Sequence, residues 1–499
     1  MQPLYSQAQT RQLDQLAAKA LEISDFELMQ KAGQTAAQTL HDLAGNDQKT
    51  EPPRLLVITG AGNNAGDGYV LALACHLAGW PVAVWPQSPA EKLSPSAHKA
   101  FEQFKQAEGR LLPVGDDGRA DAENWQAQWL VDALLGTGIN RPVSGRYAEA
   151  IDWINRQSQP VFSLDLPSGL DADTGCPQGA AVRANHTITF IALKPGLFTA
   201  DGPDYCGELF YSDLDVSMDV LHRVPPTAWL LEQEDIHQPA LHRPHNSHKG
   251  QFGHVVVIGG DRSMLGAALL SATAALRSGS GKVSLVSHSP QRNTVALYRP
   301  EIISVEPARI NTVCASADVL AIGPGLGQDD RAKSLFRQSL ALAHKHTTNC
   351  VLDADALNLL ATESRRPSLP TNSILTPHPK EAARLLRRDV TAIQADRLRA
   401  AEALANKYQC SVVLKGSGSI IAAKNKTPVI CPFGTPGMAT AGMGDVLTGI
   451  IAALLGQGLE PFQATVTGVL AHALAAEIAD KGHGLLASDV IEQLPGLWP

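Results

Sequence analysis

The 499-residue chain has only seven cysteines, an odd number, and no C-x-x-C pair among them. Their scatter (Cys75, Cys176, Cys206, Cys314, Cys350, Cys410 and Cys431) excludes a disulfide framework and a cysteine-paired zinc site. It is the usage of a reducing compartment, so the expected location is cytoplasmic. There is no block of Lys and Arg, and the net charge is −8. Nucleic acid is disfavoured as a partner, because binding phosphates needs a basic face. The amino terminus, MQPLYSQAQTRQLDQ, has no apolar signal core. No run of about 18 apolar residues predicts a membrane span. Low-complexity tails are also missing.

What is present is a globular composition, 44% apolar and 18% charged, able to bury large cores. The length exceeds one ordinary core, which implies at least two domains. Short, mostly apolar runs recur at 55–59, 82–85, 129–132, 161–165 and 187–191. They begin again at 254–260, 282–287, 319–323, 351–355, 374–377 and 411–415. Alternating with helical stretches, they predict two α/β units built on mostly parallel sheets covered on both faces. The proline-rich, histidine-rich stretch 216–251 separates them, with domains expected at 1–218 and 219–499. His245 and His248 lie in that stretch without an acid or Cys at ligand spacing and are read as polar linker.

In the first unit a strand ends in Gly60-Ala-Gly-Asn-Asn-Ala-Gly-Asp-Gly68 and opens a helix. Glycines there let the backbone approach a phosphate, and a helix N-terminus supplies N–H donors. The loop satisfies a relaxed dinucleotide fingerprint. However, the strand at 82–85 runs into Pro86-Gln87 rather than a ribose-binding acid, which disfavours ordinary hydride transfer. Two further strand ends carry polar groups: Asp132 before Leu-Leu-Gly-Thr-Gly138, and Asp165 and Ser168 in Asp-Leu-Pro-Ser-Gly169. Asn64, Asp132 and Ser168 offer the oxygens a hard cation takes, or each aspartate caps the helix that follows.

These three ordered motifs resemble the NAD(P)H-hydrate epimerase family over roughly residues 9 to 215, with a Rossmann-like sheet. The resemblance implies contact with hydrated NADH or NADPH by Asn63, Asn64, Ala65, Gly66 and Asp67. It implies the same for Gly136, Thr137, Gly138, Ile139, Asn140, Arg141 and Pro142, and for Asp165. It also implies a potassium ion on Asn64, Asp132 and Ser168. Epimerisation needs a proton donor and acceptor, and Asp165 is the candidate. Ala65 stands where the family often has Gly.

The second unit holds the strongest motif, Thr435-Pro-Gly-Met-Ala-Thr-Ala-Gly-Met-Gly-Asp445, which leads into the apolar stretch 446–455. N–H groups of such a turn form an anion hole, and Asp445 can take a proton from a hydroxyl or cap the helix. Lys415-Gly-Ser-Gly-Ser419 suits nucleotide phosphates. His378 stands between two prolines that fix the backbone. With Gly-Pro-Gly-Leu-Gly327, Asp-Ala-Asp-Ala-Leu-Asn358 and Thr-Pro-His-Pro-x-Glu381, the set resembles the ribokinase-like family, and within it the ADP-dependent NAD(P)H-hydrate dehydratases, from about residue 225 to the end.

That resemblance implies that Ala267, Gly325, His378 and Asp445 contact hydrated cofactor. Lys415, Gly416, Ser417, Gly418, Ser419 and Gly444 would hold ADP, with magnesium neutralising phosphate charge. Lys380 and Met443 depart from the family's common residues beside the site. Both halves then serve one substrate: an epimerase supplies the S hydrate that an ADP-dependent dehydratase converts to NAD(P)H, AMP and phosphate. The alternatives are a vitamin-precursor kinase and a non-catalytic nucleotide sensor. A homo-oligomer is expected from the extensive apolar stretches.

Overall fold

A computed structural model of the chain describes residues 1–44, 51–139, 141–237, 243–290, 292–363 and 368–498. It divides into two compact units, Pro3–Ala228 and Trp229–Pro499, the latter with Met1–Gln2.

The N-terminal unit is built on seven parallel strands. Leu55–Thr59 lies between Val82–Pro86 and Trp129–Ala133, and Arg110–Leu111 flanks Val82–Pro86. Val161–Leu164, His186–Phe190 and Glu208–Ser212 follow beyond Trp129–Ala133. Every residue of Leu55–Thr59 and Val82–Pro86 is buried, which explains why these runs show no polar alternation. Period-two geometry sends Leu55 and Val57 into one core layer and Leu56 and Ile58 into the other. Chain direction reverses its order across Leu55–Thr59, and ligands of open parallel sheets gather at such a switch point.

The C-terminal sheet repeats that device at His254–Ile258, which lies between Lys282–Val286 and Val319–Ile322. Ile302–Val305 closes one side. On the other, Asn349–Leu352, Ser373–Leu375 and Ser411–Leu414 continue parallel. Two antiparallel strands, Ser419–Ala422 and Val429–Cys431, then extend it. Helices Leu265–Arg277 and Met443–Gly456 pack closely on one face. A Cβ at Gly449 would lie 2.1 Å from the Ser271 carbonyl oxygen, so only glycine permits this approach. Helix Pro461–Ala479 is long and apolar enough to cross a membrane, a test no segment was expected to pass. Yet 72% of its apolar window is buried, and its residues belong to this unit's core.

Six cysteines are buried and Cys176 is half-buried. Burial pushes the thiols of Cys75, Cys206, Cys314, Cys410 and Cys431 up to about 12, and that of Cys350 higher still.

Candidate active sites

Register places the first site. Asp132 pairs with Ile58 on one side and Ser163 on the other, so the loops after three neighbouring strands meet at one edge. Asp132 is fully buried. Its carboxylate accepts hydrogen bonds from Ser168 Oγ (2.6 Å), Leu134 N (3.3 Å), Ser163 Oγ (2.8 Å) and Ser168 N (2.8 Å). All four donors are neutral, and burial pushes the carboxyl up. Asn64 is 7% exposed, and neither atom of its carboxamide has a partner among the described residues. A fully buried carboxylate with no positive neighbour beside an orphaned amide oxygen is a pair that a cation would satisfy. The oxygen-only set suits a hard ion.

Asp165 sits in the left-handed region, φ +64°, a strained place for a residue other than glycine and one met at functional sites. Its Oδ1 accepts from Lys194 Nζ (2.5 Å) and Thr189 Oγ1 (3.5 Å). Lys194 is fully buried and also donates to Thr189 Oγ1 (2.7 Å). The other Asp165 oxygen faces Gly136, where a Cβ would lie 3.6 Å from Oδ2 and 3.3 Å from Asn64 Cβ.

Two more acids complete the cluster. Burial, followed by the charge of Asp165, raises Asp14 to about 7. The same causes, with Asp14 added, raise Asp67 well above the carboxylate range. Three carboxylates around one ammonium hold at least one exchangeable proton near neutrality.

The remaining expected contacts divide by exposure. Ala65 and Gly66 are buried, and a Cβ on Gly66 would strike Met29 Sδ at 2.3 Å, so they pack rather than project. Asn63 accepts from Ser94 Oγ at 2.7 Å. Its helix, Asn63–Leu77, has no side-chain cap at Gly62, which leaves first-turn amides for an anion. Gly138, Arg141 and Pro142 are exposed, and Thr137 and Ile139 half-buried. Asn140 lies outside the described residues. Sequence reasoning missed Lys194 and Asp14. Asp14 sits on helix Gln7–Ala20, which carries no motif, and the same helix brings Arg11 within 3.9 Å of a Cβ at Gly138.

At the second site the N-cap of helix Met443–Gly456 is Gly442, φ +94°, without a side-chain cap. Asp445 therefore lies in the first turn and is not the cap, and it makes no side-chain hydrogen bond among the described residues. Burial, then the charge of Asp353, raises it to about 7 against the pull of Lys415. Asp353 is buried and accepts from Lys415 Nζ (2.8 Å) and Thr448 Oγ1 (2.9 Å). A Cβ on Gly444 would lie 3.0 Å from Lys415 Nζ, so the turn and the lysine share one space.

Arg397, 1% exposed, lies beneath the Lys415–Gly418 turn and donates to the carbonyls of Leu414, Lys415 and Gly418 at 3.3–3.4 Å. Nothing in the sequence pattern pointed to it. Ser417 is exposed, and Ser419 begins a strand while donating to Gly416 O (3.1 Å). Ala267 stands against Gly325, where a Cβ would lie 3.2 Å from Ala267 Cβ.

His378 is the N-cap of helix Pro379–Leu386. Its Nδ1 accepts from the amides of Lys380 (3.1 Å) and Glu381 (3.3 Å). That bonding, with burial lowering its pKa, fixes the neutral ring with the proton on Nε2. Buried Glu381 is itself raised to about 7 by burial.

Comparison with known proteins agrees with this division. A profile described as "YjeF-related protein N-terminus" matches residues 25–196, and one described as "NAD(P)H-hydrate dehydratase" matches 255–495. The Bifunctional NAD(P)H-hydrate repair enzyme Nnr of Coxiella burnetii is 40% identical over 500 residues, 99% of each chain. The chain belongs to the bifunctional NAD(P)H-hydrate repair enzyme family. The family's Escherichia coli K12 protein is 38% identical, covering 96% of this chain and 90% of that one. A ribokinase-like superfamily protein of Enterococcus faecalis V583 superposes with TM-score 0.51 at 28% identity, covering 54% of this chain and 95% of that one. The expected ribokinase-like α/β fold of the C-terminal half is thereby established.

Proposed function

We propose that the N-terminal unit interconverts the R and S hydrates of NADH and NADPH, and that the C-terminal unit dehydrates the S hydrate with ADP. The observation that carries the second step is an uncapped glycine turn beside Asp445, raised to about 7 and within the field of buried Asp353 and its half-buried partner Lys415. Asp445 takes the proton of the C6 hydroxyl as its oxygen attacks the terminal phosphorus of ADP, and AMP leaves. The turn's amides and Lys415 receive phosphate charge. The C6–O bond then breaks, phosphate departs, a proton leaves C5, and the C5–C6 double bond returns. Magnesium, if bound with the nucleotide, neutralises phosphate charge.

In the first site Asp165, poised by Lys194, exchanges a proton at the reacting ring. Asp14 and Asp67 share the proton inventory, and the loops 63–67 and 136–142 hold the dinucleotide. Asn64, Asp132 and Ser168 would hold potassium, which would compensate the buried Asp132 charge. Residues 1–218 and 219–499 are the corresponding functional halves. A cytoplasmic location and a homo-oligomer are proposed on the cysteine usage and apolar content described above.

The test is recovery of reduced-nicotinamide absorbance from mixed hydrate epimers, with ADP or ATP and with potassium or choline as the salt. Full nucleotide-dependent recovery of both epimers is the expected result. Recovery stopping at one epimer would refute the epimerase half. A stable phosphorylated product without regained absorbance would make the second half a kinase.

A further inference from the structure

A groove of about 520 Å³ opens on the C-terminal unit between helix Leu265–Arg277, the segment 294–299 and helix Ala487–Gln493. Its walls are apolar, with Leu269, Leu270 and Ile491, and two residues of its rim are distinctive. Tyr298 is 71% exposed. The guanidinium of half-buried Arg299 makes no hydrogen bond or ion pair among the described residues, not even with Glu492 on the same rim. A half-buried cation without a counter-charge on an apolar wall is a poor structural choice and a good phosphate site.

The groove is continuous with the catalytic turn. A Cβ on Gly442 would lie 2.6 Å from Leu270 Cδ1 and 3.0 Å from Ala487 Cβ, so one wall of the groove is also the backing of the turn that carries Asp445. Sheet order fixes the direction. The Lys415–Gly418 turn follows strand Ser411–Leu414, whereas residues 294–299 follow Lys282–Val286, on the opposite side of His254–Ile258 along the same edge. A nucleotide at Lys415 leaves this far side for the second molecule that meets Asp445.

We infer that the groove holds the adenosine end of the hydrated dinucleotide, with Tyr298 against the flat base and Arg299 on a phosphate. The inference rests on the dehydratase reading above. Stacking on an exposed aromatic ring and pairing with a free guanidinium are the interactions an adenosine phosphate satisfies together. Gly266, on the groove wall, has no atom within 4 Å of a would-be Cβ, so side chains can be added there without disturbing the helix.

The full-length protein is assayed with hydrated NADH and hydrated NADPH as R299A, R299K, Y298A, G266A and G266F, and NADP⁺ binding is followed by calorimetry. R299A raises KM for the hydrated dinucleotide roughly tenfold while KM for ADP holds, and R299K restores part of it. G266F weakens NADP⁺ binding, and G266A leaves the thermal melt intact. A loss confined to hydrated NADPH assigns Arg299 to the ribose phosphate, and equal losses assign it to the pyrophosphate. Unchanged KM values and NADP⁺ affinity in all variants overturn the inference. So does a change in oligomeric mass without a change in KM, which would make the groove a contact between copies. A native chain that binds NADP⁺ but never dehydrates would sink the dehydratase reading and leave the groove standing.

Discussion

The two sites solve one electrostatic problem differently. Each has a lysine held by one aspartate, buried Lys194 by Asp165 and half-buried Lys415 by Asp353, with further carboxylates pushed towards neutrality around them. In the N-terminal site the paired aspartate is itself the proposed reacting group, and Lys194 is fully buried behind it. In the C-terminal site the paired aspartate lies underneath, and the acid proposed to react stands apart in the first turn of a helix that has no side-chain cap. Reversible loss of the C6 hydroxyl, or opening of the ring, needs a proton donor and acceptor, which the first arrangement offers. Phosphoryl transfer also needs donors aimed at developing charge, and the second provides them. The two clusters therefore differ in where the proposed reacting acid stands: Asp445 lies in the uncapped first turn of a helix, whereas Asp165 follows a strand.

The comparison is broken most sharply by Asp445→Asn. Dehydration is expected to fall on the order of 10³-fold with epimerisation intact, followed by absorbance and by chromatography of the epimers. Equal loss of both would mean the halves are not separable. Lys194→Met should cut epimerisation about 100-fold and spare dehydration of pure S hydrate; an unaffected epimerase would remove the parallel between the lysines. Arg397→Met should raise KM for ADP about tenfold without moving the pH profile, because it acts through the Lys415–Gly418 turn.

The dehydration rate should decline by up to tenfold per unit as pH drops below about 7, since Asp445 must be ionised to act as base. A flat profile from pH 5 to 8 would take that role from it. The smallest effect is on stability. Asp14 has its folded pKa raised from the usual 3.8 to about 7, so the stability it lends is present below about pH 4 and lost as pH rises through 7. Asp14→Asn should therefore raise Tm at pH 8 by roughly 2 °C, the partial exposure of Asp14 screening the rest, and give no gain at pH 4.

The central strands were legible because burial on both faces leaves a continuous apolar run, and the glycine turns because close approach admits no side chain. Edge and antiparallel strands such as Glu208–Ser212 and Ser419–Ala422 were not, since their pairing depends on partners far along the chain. The acids proposed to react, Asp165 and Asp445, sat inside motifs. Lys194, Asp14 and Arg397 did not: each reaches its site from a segment whose local pattern is that of an ordinary strand end or helix. His378, expected as a ligand contact, caps a helix through Nδ1, and its Nε2 lies 3.4 Å from Glu381 Oε1.

The deep placement of the thiols has a chemical consequence. With a pKa of about 12, such a group is a thiolate in roughly one molecule in 10⁴ or fewer at physiological pH. Peroxide and disulfide reagents attack the thiolate, so these five cysteines, and Cys350 with them, are poor targets for such reagents. Oxidants that damage enzymes dependent on a reactive cysteine should leave both centres of this chain working, because neither contains one.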